Sequence, residues 1–247
     1  MIGMLGGMSW ESTAEYYRLA NELVSQKRGG FHSARVLLDS VDFAEIEALQ
    51  SSGQWDEAGE MLADRARALE HAGADMLVLC TNTMHQVIGA IEHAVTIPVL
   101  HIADATGASI RDAGLTRVGL LGTAFTMEQD FYRDRLATFG INVTVPEASA
   151  RQKVHRIIYD ELVFGVVREE SRVEYRRIIQ QLVADGAEGI ILGCTEIELL
   201  VTAQDSPVPV FPTTRLHVEA AVSLALQDEW PPTPRRNADA AGQNSNR

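Results

Sequence analysis

Gly73-Ala74-Asp75-Met76-Leu77-Val78-Leu79-Cys80-Thr81-Asn82-Thr83 aligns without a gap on Gly186-Ala187-Glu188-Gly189-Ile190-Ile191-Leu192-Gly193-Cys194-Thr195-Glu196. In both copies a Gly-Ala pair leads into a short apolar run, and polar residues follow it. Such a run, rich in leucine and β-branched residues and bounded by turn residues, reads as a buried strand. Two more pairs flank this one. Ile2-Gly3-Met4-Leu5-Gly6-Gly7 resembles Val118-Gly119-Leu120-Leu121-Gly122-Thr123, and Ile97-Pro98-Val99-Leu100 resembles Val208-Pro209-Val210-Phe211. Three matched pairs in one order predict two similar halves.

Working outward, the expected strands are Ile2–Leu5, Ala34–Leu38, Met76–Cys80, Ile97–Leu100, Val118–Leu121, Val143–Val145, Gly189–Leu192 and Val208–Phe211. Helix-length stretches of mixed polarity lie between them, among them Trp10–Gln26, Asp56–His71, Met127–Phe139, Arg151–Phe164 and Glu169–Ala184. Strands alternating with helices predict an α/β fold of parallel sheets with helices on both faces. A chain of 247 residues that is 46% hydrophobic can bury one large core or two of roughly 100 residues each. From Glu229 onward the chain is rich in Pro, Asn and Arg without periodicity, and disorder is expected there.

The net charge of -13 argues against a nucleic-acid partner, because phosphate binding needs a basic face. No apolar run approaches the roughly 20 residues that span a bilayer. The first residues show no signal-peptide pattern, and a cytoplasmic protein is expected. Two cysteines, Cys80 and Cys194, are too few for a disulfide framework. They are either buried hydrophobes or reactive thiols.

Ligands of open α/β sheets bind beyond the carboxyl ends of the strands, where helix N-termini offer N–H donors. The paired strand ends are therefore the candidates for chemistry. The ungapped alignment sets Cys194 against Thr81 rather than Cys80, Thr195 against Asn82, and Glu196 against Thr83. Adjacent strand residues point to opposite faces. If Cys194 faces a cleft, Thr81 faces it from the other side and Cys80 points into its own half. Placed where a strand opens into a helix, Cys194 is expected to have its thiol pKa lowered from about 8.5. Asn82 and Thr83 add side-chain donors. Two helix starts meeting in a cleft would cradle the carboxylate of an amino acid or a dicarboxylic acid.

These residues carry a resemblance. Leu-Gly-Gly-Met-Ser (5–9), Asn-Thr-Met-His (82–85) and Gly-Cys-Thr-Glu (193–196) resemble the aspartate/glutamate racemase superfamily. Gly-Gly-Met-Ser-Trp-Glu-Ser (6–12) and Cys-Thr-Asn-Thr-Met-His (80–85) are most similar to its L-aspartate/glutamate or broad-specificity amino-acid branch. The likeness runs to about Leu226. It implies two pseudo-symmetric α/β domains with the active site in the cleft between them. The expected division is 1–102 plus 214–228 for one domain, 103–213 for the other, and 229–247 for the tail. The resemblance also implies racemisation without a cofactor, by two opposed residues at the positions of Thr81 and Cys194. Met8, Gln50, Asn82, Thr83, Thr195 and Glu196 are expected to bind substrate, and a homodimer is expected. Inverting Cα takes a proton from one face and returns one to the other, so two groups must straddle the substrate. A threonine hydroxyl is a poor base, which predicts unequal exchange of the two enantiomers.

Other chemistries fit less well. Pyridoxal phosphate needs a Schiff-base lysine, and the two lysines, Lys27 and Lys153, lie away from strand ends. The seven histidines show no zinc-type spacing with the cysteines, so no metal is expected. Gly6-Gly7 lacks the dinucleotide spacing. It is read as allowing close approach of backbone to substrate, with Met8 and Ser9 at the cleft edge. His85 is either a polar helix residue or orients a base. Aspartate racemases of this superfamily carry an arginine and a lysine at positions that fall near Ile46 and Val163 here. An acidic side chain would then lean on neutral donors such as Gln50, and the substrate range widens to homoserine-like side chains. Decarboxylation or cis–trans isomerisation on the same scaffold, and amino-acid binding without catalysis, are the competing readings.

Overall fold

The structure, a computed structural model, describes residues 1–227; the segment 229–247, expected to be disordered, lies outside the described residues. All eight expected strands form, with ends shifted by two residues at most. They are β1 (Ile2–Gly6), β2 (Val36–Ser40), β3 (Met76–Leu79), β4 (Val99–Leu100), β5 (Arg117–Gly122), β6 (Asn142–Thr144), β7 (Gly189–Gly193) and β8 (Val210–Pro212). They build two four-stranded sheets of the same order, β2-β1-β3-β4 and β6-β5-β7-β8, and every pairing is parallel.

The repeat read from the sequence holds at the level of register. Met4 pairs with Val78 and Leu5 with Leu79 in the first sheet; their counterparts Leu120 with Ile191 and Leu121 with Leu192 pair in the second. Leu77 pairs with Val99 as Ile190 pairs with Val210. The prolines act alike too. Proline cannot donate to a ladder, and both sit just before a strand and accept instead, Pro98 from Leu77 N at 2.8 Å and Pro209 from Ile190 N at 2.9 Å.

Eleven α-helices surround the sheets among the described residues. In the first half these are α1 (Trp10–Arg28), α2 (Phe43–Ser52), α3 (Trp55–His71) and α4 (Ile88–Ala94), followed by α5 (Ile102–Asp112). Then come α6 (Ala124–Glu128), α7 (Asp130–Ala137), α8 (Ala148–Asp160), α9 (Glu169–Ala184), α10 (Ile197–Leu200) and α11 (Thr213–Ala225). The helix expected over 127–139 is two helices, because Gln129 is extended at ψ 153°. The one expected over 151–164 ends at Asp160; a 3-10 turn follows, closed by Gly165 in the left-handed region at φ 68°. No described helix is long and apolar enough to cross a membrane.

The chain exchanges a helix between the halves twice. After β4, α5 contributes Ile102, Ala103 and Ile110 to the core around Val118 and Leu120 of β5. After β8, α11 returns Val218, Ala221 and Val222 to the core around Ile2 and Met4 of β1. Burial of such aliphatic side chains stabilises each half by about 1.5–3 kcal/mol per residue, so the swap ties both sheets into one fold.

Gly6 and Gly7 need a correction. The pair was expected to let substrate approach the backbone, but the close approach is made by the chain itself. A Cβ on Gly6 would sit 2.4 Å from Thr13 Cγ2, and one on Gly7, at φ +93°, would sit 2.1 Å from the Val41 carbonyl oxygen. The glycines let α1 and the β2–α2 loop close onto the end of β1.

Candidate active site

A cavity of about 490 Å3, part of it open to solvent, lies where the carboxyl ends of the two sheets meet. All eight residues singled out in the sequence line it: Thr81 and Cys194, with Met8, Gln50, Asn82, Thr83, Thr195 and Glu196. Cys80 is not among them. It is fully buried with Ile2, Met4 and Tyr16 in the core of the first half, and burial pushes its thiol well up.

The two halves hold each other across this cavity. Ser9, the N-cap of α1, donates to Glu196 Oε1 at 2.7 Å. Ser12 and Thr195 share a hydrogen bond of 2.7 Å, and Thr195 bonds Thr214 at 2.7 Å. Thr83 bonds Thr123 at 3.1 Å. Hydroxyls expected to meet substrate are thus partly occupied between the halves.

Cys194 departs from expectation. The helix after it, α10, is only four residues long and begins at Ile197, so it supplies little dipole to a thiolate. Instead the thiol donates to Glu196 Oε2 at 2.9 Å. Burial first, then the Glu196 charge and hydrogen bond, push it well above the usual thiol range. The resting form is a neutral thiol bonded to a carboxylate, not the thiolate that a helix N-terminus would give. Glu196, expected to bind substrate, has both oxygens engaged by Cys194 and Ser9.

Thr81 is held through its backbone. Its N–H donates to Leu79 O at 2.9 Å, and its carbonyl accepts from His85 Nδ1 at 2.8 Å. His85 Nε2 accepts from Ile102 N at 3.1 Å, which fixes the tautomer as Nδ1–H. Burial, reinforced by His101 and His217, drives the His85 pKa well down, so the ring is neutral. His85 lies on a 3-10 turn, Thr83–Val87, and is fully buried. It ties the loop carrying Thr81 to the start of α5. No carboxylate or imidazole bonds the Thr81 hydroxyl among the described residues.

Of the amides that line the cavity, two have buried oxygens without partners among the described residues: Asn82 Oδ1 and Gln50 Oε1. The Asn82 orientation follows from its neighbours. Thr213 spends its proton on Leu192 O at 2.9 Å, so it must accept from Asn82 Nδ2 at 3.0 Å. Gln50 Nε2 lies 2.8 Å from Met84 Sδ; a thioether accepts and never donates, so the nitrogen faces it. Gln50 therefore offers an acceptor, the opposite of the donor expected for an acidic side chain. Buried unpaired carbonyls are costly, and both oxygens are free to accept from N–H or O–H groups in the cavity. Among the described residues, no Lys or Arg lines the cavity.

Phe43, Ile158, Tyr159 and Val163 form an apolar wall. Burial, then Cys194, Glu47 and Glu196, push the Tyr159 phenol up to about 12, so it is neutral. Sequence reasoning missed Ser12, Phe43, Thr123, Ile158 and Tyr159. Thr123 was findable, since the repeat aligns it with Gly7 at the end of β1. Phe43 on α2, and Ile158 and Tyr159 on α8, lie outside the repeat and carried no signal.

The chain is similar to known proteins over most of its length. The family described as Asp/Glu/hydantoin racemase matches residues 5–221. The broad-specificity amino-acid racemase RacX of Bacillus subtilis is 22% identical over 238 residues, covering 92% of this chain and 98% of that protein. The crystal structure of a candidate Asp/Glu racemase from Yersinia pestis is 54% identical with a TM-score of 0.87, covering 92% of this chain and 99% of that one. An aspartate racemase homologue from Pyrococcus horikoshii is 34% identical with a TM-score of 0.80, over 91% and 98% of the two chains.

Proposed function

The chain belongs to the Asp/Glu/hydantoin racemase family of PLP-independent isomerases, and on that premise we propose that it inverts the Cα of an amino acid by proton transfer at Cys194 and Thr81. One observation carries this reading. Equivalent residues at the ends of two equivalent strands line a single cavity, and one of them is a thiol bonded to a carboxylate.

Cys194 and Glu196 act as one acid–base unit. With the proton on sulfur the unit delivers it to the carbanion. When Glu196 takes that proton, the thiolate removes one from substrate. The α-ammonium meets Asn82 Oδ1, and the α-carboxylate lies at the first N–H groups of the Thr83–Val87 turn, which have no acceptor within it. Those fixed donors favour the charge that develops as Cα loses its proton. Residues 1–102 with 214–228, and residues 103–213, are the two halves that close on substrate.

Among the described residues Thr81 lacks a partner that would make it a base, so it delivers or relays a proton more readily than it removes one. Exchange is fast for the enantiomer that presents Cα–H to Cys194 and slow for the other. Free enantiomers are isoenergetic, so kcat/KM for net conversion stays equal in both directions. Gln50 sets the side-chain preference. It offers an acceptor and no cation among the described residues lines the cavity, so side chains ending in a hydroxyl, amide or ammonium are favoured over aspartate and glutamate, within a broad range.

Proton NMR of L- and D-amino acids in D2O tests this. Loss of the Cα signal is expected, abolished in Cys194→Ser, and Thr81→Cys should speed the slow enantiomer. No exchange across a full panel would end the racemase reading. Preferential exchange of aspartate would end the Gln50 assignment alone.

A further inference from the structure

A second cavity adjoins the first. It spans about 900 Å3 counting space open to solvent, and its lining includes Glu15, Arg18, Glu198 and Leu199. Ser12, Thr195 and Glu196 line both cavities. The wall between substrate and this outer space is therefore made of two hydroxyls and a carboxylate.

That wall is continuous with the acid–base unit. Glu196 accepts the Cys194 proton on one oxygen and the Ser9 proton on the other. Beside it Ser12, Thr195 and Thr214 form a run of hydroxyls at 2.7 Å spacings. Glu198 stands on the outer side. Its Oε1 is buried and has no partner among the described residues. Burial, with Glu15 nearby and Arg215 opposing, pushes its carboxyl up to about 8. At neutral pH it therefore carries a proton most of the time. Inversion at Cα has no need of this carboxyl or of the space around it.

We infer that Glu198 and the second cavity form a rear proton port, through which the Cys194–Glu196 unit exchanges protons with solvent while substrate fills the front cavity. The inference rests on the racemase reading and deepens it. When Cys194 protonates the carbanion, the S–H bond breaks and a Cα–H bond forms. The thiolate then takes the proton that Glu196 has received from the Glu198 carboxyl through water in the rear cavity. The Glu198 carboxylate is reprotonated from solvent. In the other direction a proton taken from Cα leaves by the same route. Glu198 touches no substrate and acts through Glu196.

Isotope partitioning in D2O reads this directly. Each turnover on the enantiomer that Cys194 deprotonates yields product, or unreacted substrate whose Cα has exchanged. With an open port the proton on Cys194 is replaced before it returns, and recovered substrate gains deuterium. Glu198→Leu removes the carrier, and Leu199→Trp narrows the mouth from a different residue. Both should lower deuterium in recovered substrate, per product formed, by about fivefold, and Glu198→Asp should restore it. The ratio does not depend on how much enzyme folds, because both species come from the same turnovers. An unchanged ratio in both variants overturns the port and leaves the racemase reading intact. No Cα exchange in the wild-type protein with any amino acid overturns the racemase reading and the port with it.

Discussion

At the scale of single residues, Glu196 determines what Cys194 is. Burial alone raises a thiol, and a carboxylate hydrogen-bonded at 2.9 Å raises it further because a second negative charge beside it is costly. Replacing Glu196 by Gln removes the charge and keeps the shape. The pH at which iodoacetamide alkylates Cys194 should then move down by about one unit, while Cys80 in the core stays unreactive. A midpoint that stays put or rises would show that the carboxylate does not set the thiol. The Gln50 amide is a second case. A sequence read it as a donor, and one thioether, Met84 Sδ, turns it into an acceptor.

At the scale of elements, the β1–α1 connection packs closely against Thr13 and the β2–α2 loop. Gly7 N donates to Thr13 Oγ1 at 2.8 Å, and Val41 N donates to Gly6 O at 3.1 Å. That packing places Ser9 at the N-cap of α1 and within reach of Glu196. Gly7→Ala should cost about 3 kcal/mol or more, from a Cβ inside contact distance of backbone and a φ that disfavours it. Urea unfolding measures the loss; a change under about 1 kcal/mol would mean that the β2–α2 loop yields easily. Gly53, at φ +73° with open space around it, is the control, since Ala there strains only the local backbone.

At the scale of the whole molecule, three buried histidines cluster where the exchanged helices α5 and α11 meet the end of the first sheet. His85, His101 and His217 lie with ring centroids 4.6 Å and 5.8 Å from His85. His217 donates from Nε2 to Leu100 O and accepts from Tyr16 at Nδ1, both at 2.9 Å, so it links α11, β4 and α1. Burial is the first cause of depression in all three. His101 and His217 are lowered to about 4, and His85 well below its ordinary value. Their folded pKa values lie below the unfolded 6.5. The stability they allow is present above 6.5 and is lost as pH falls toward 4. Glu198 works the other way, since a raised carboxyl favours the fold below its unfolded value and loses that stability as pH rises through 8. Three rings outweigh one carboxyl. Stability to urea should fall by about 3 kcal/mol between pH 6.5 and 4.5, and a flat profile there would contradict the neutral cluster.

What the sequence determined is what local pattern and repetition encode. Alternating apolar runs and helices point to a parallel α/β fold, because short apolar runs bounded by turn residues, such as Met76–Leu79, suit strands buried on both faces. The gapless repeat fixed the register, since a one-residue slip would turn every side chain to the other face, and so it paired Thr81 with Cys194 instead of Cys80. What only the tertiary structure decided depends on neighbours far apart in the chain. Glu196 sets the thiol, and Ser9, 187 residues away, holds Glu196. Met84 fixes the Gln50 amide from 34 residues on. Phe43 and Tyr159 reach the cavity from helices outside the repeat. A proton's place and an amide's direction are set by the nearest partner in space, and no periodicity along the chain records which residue that is.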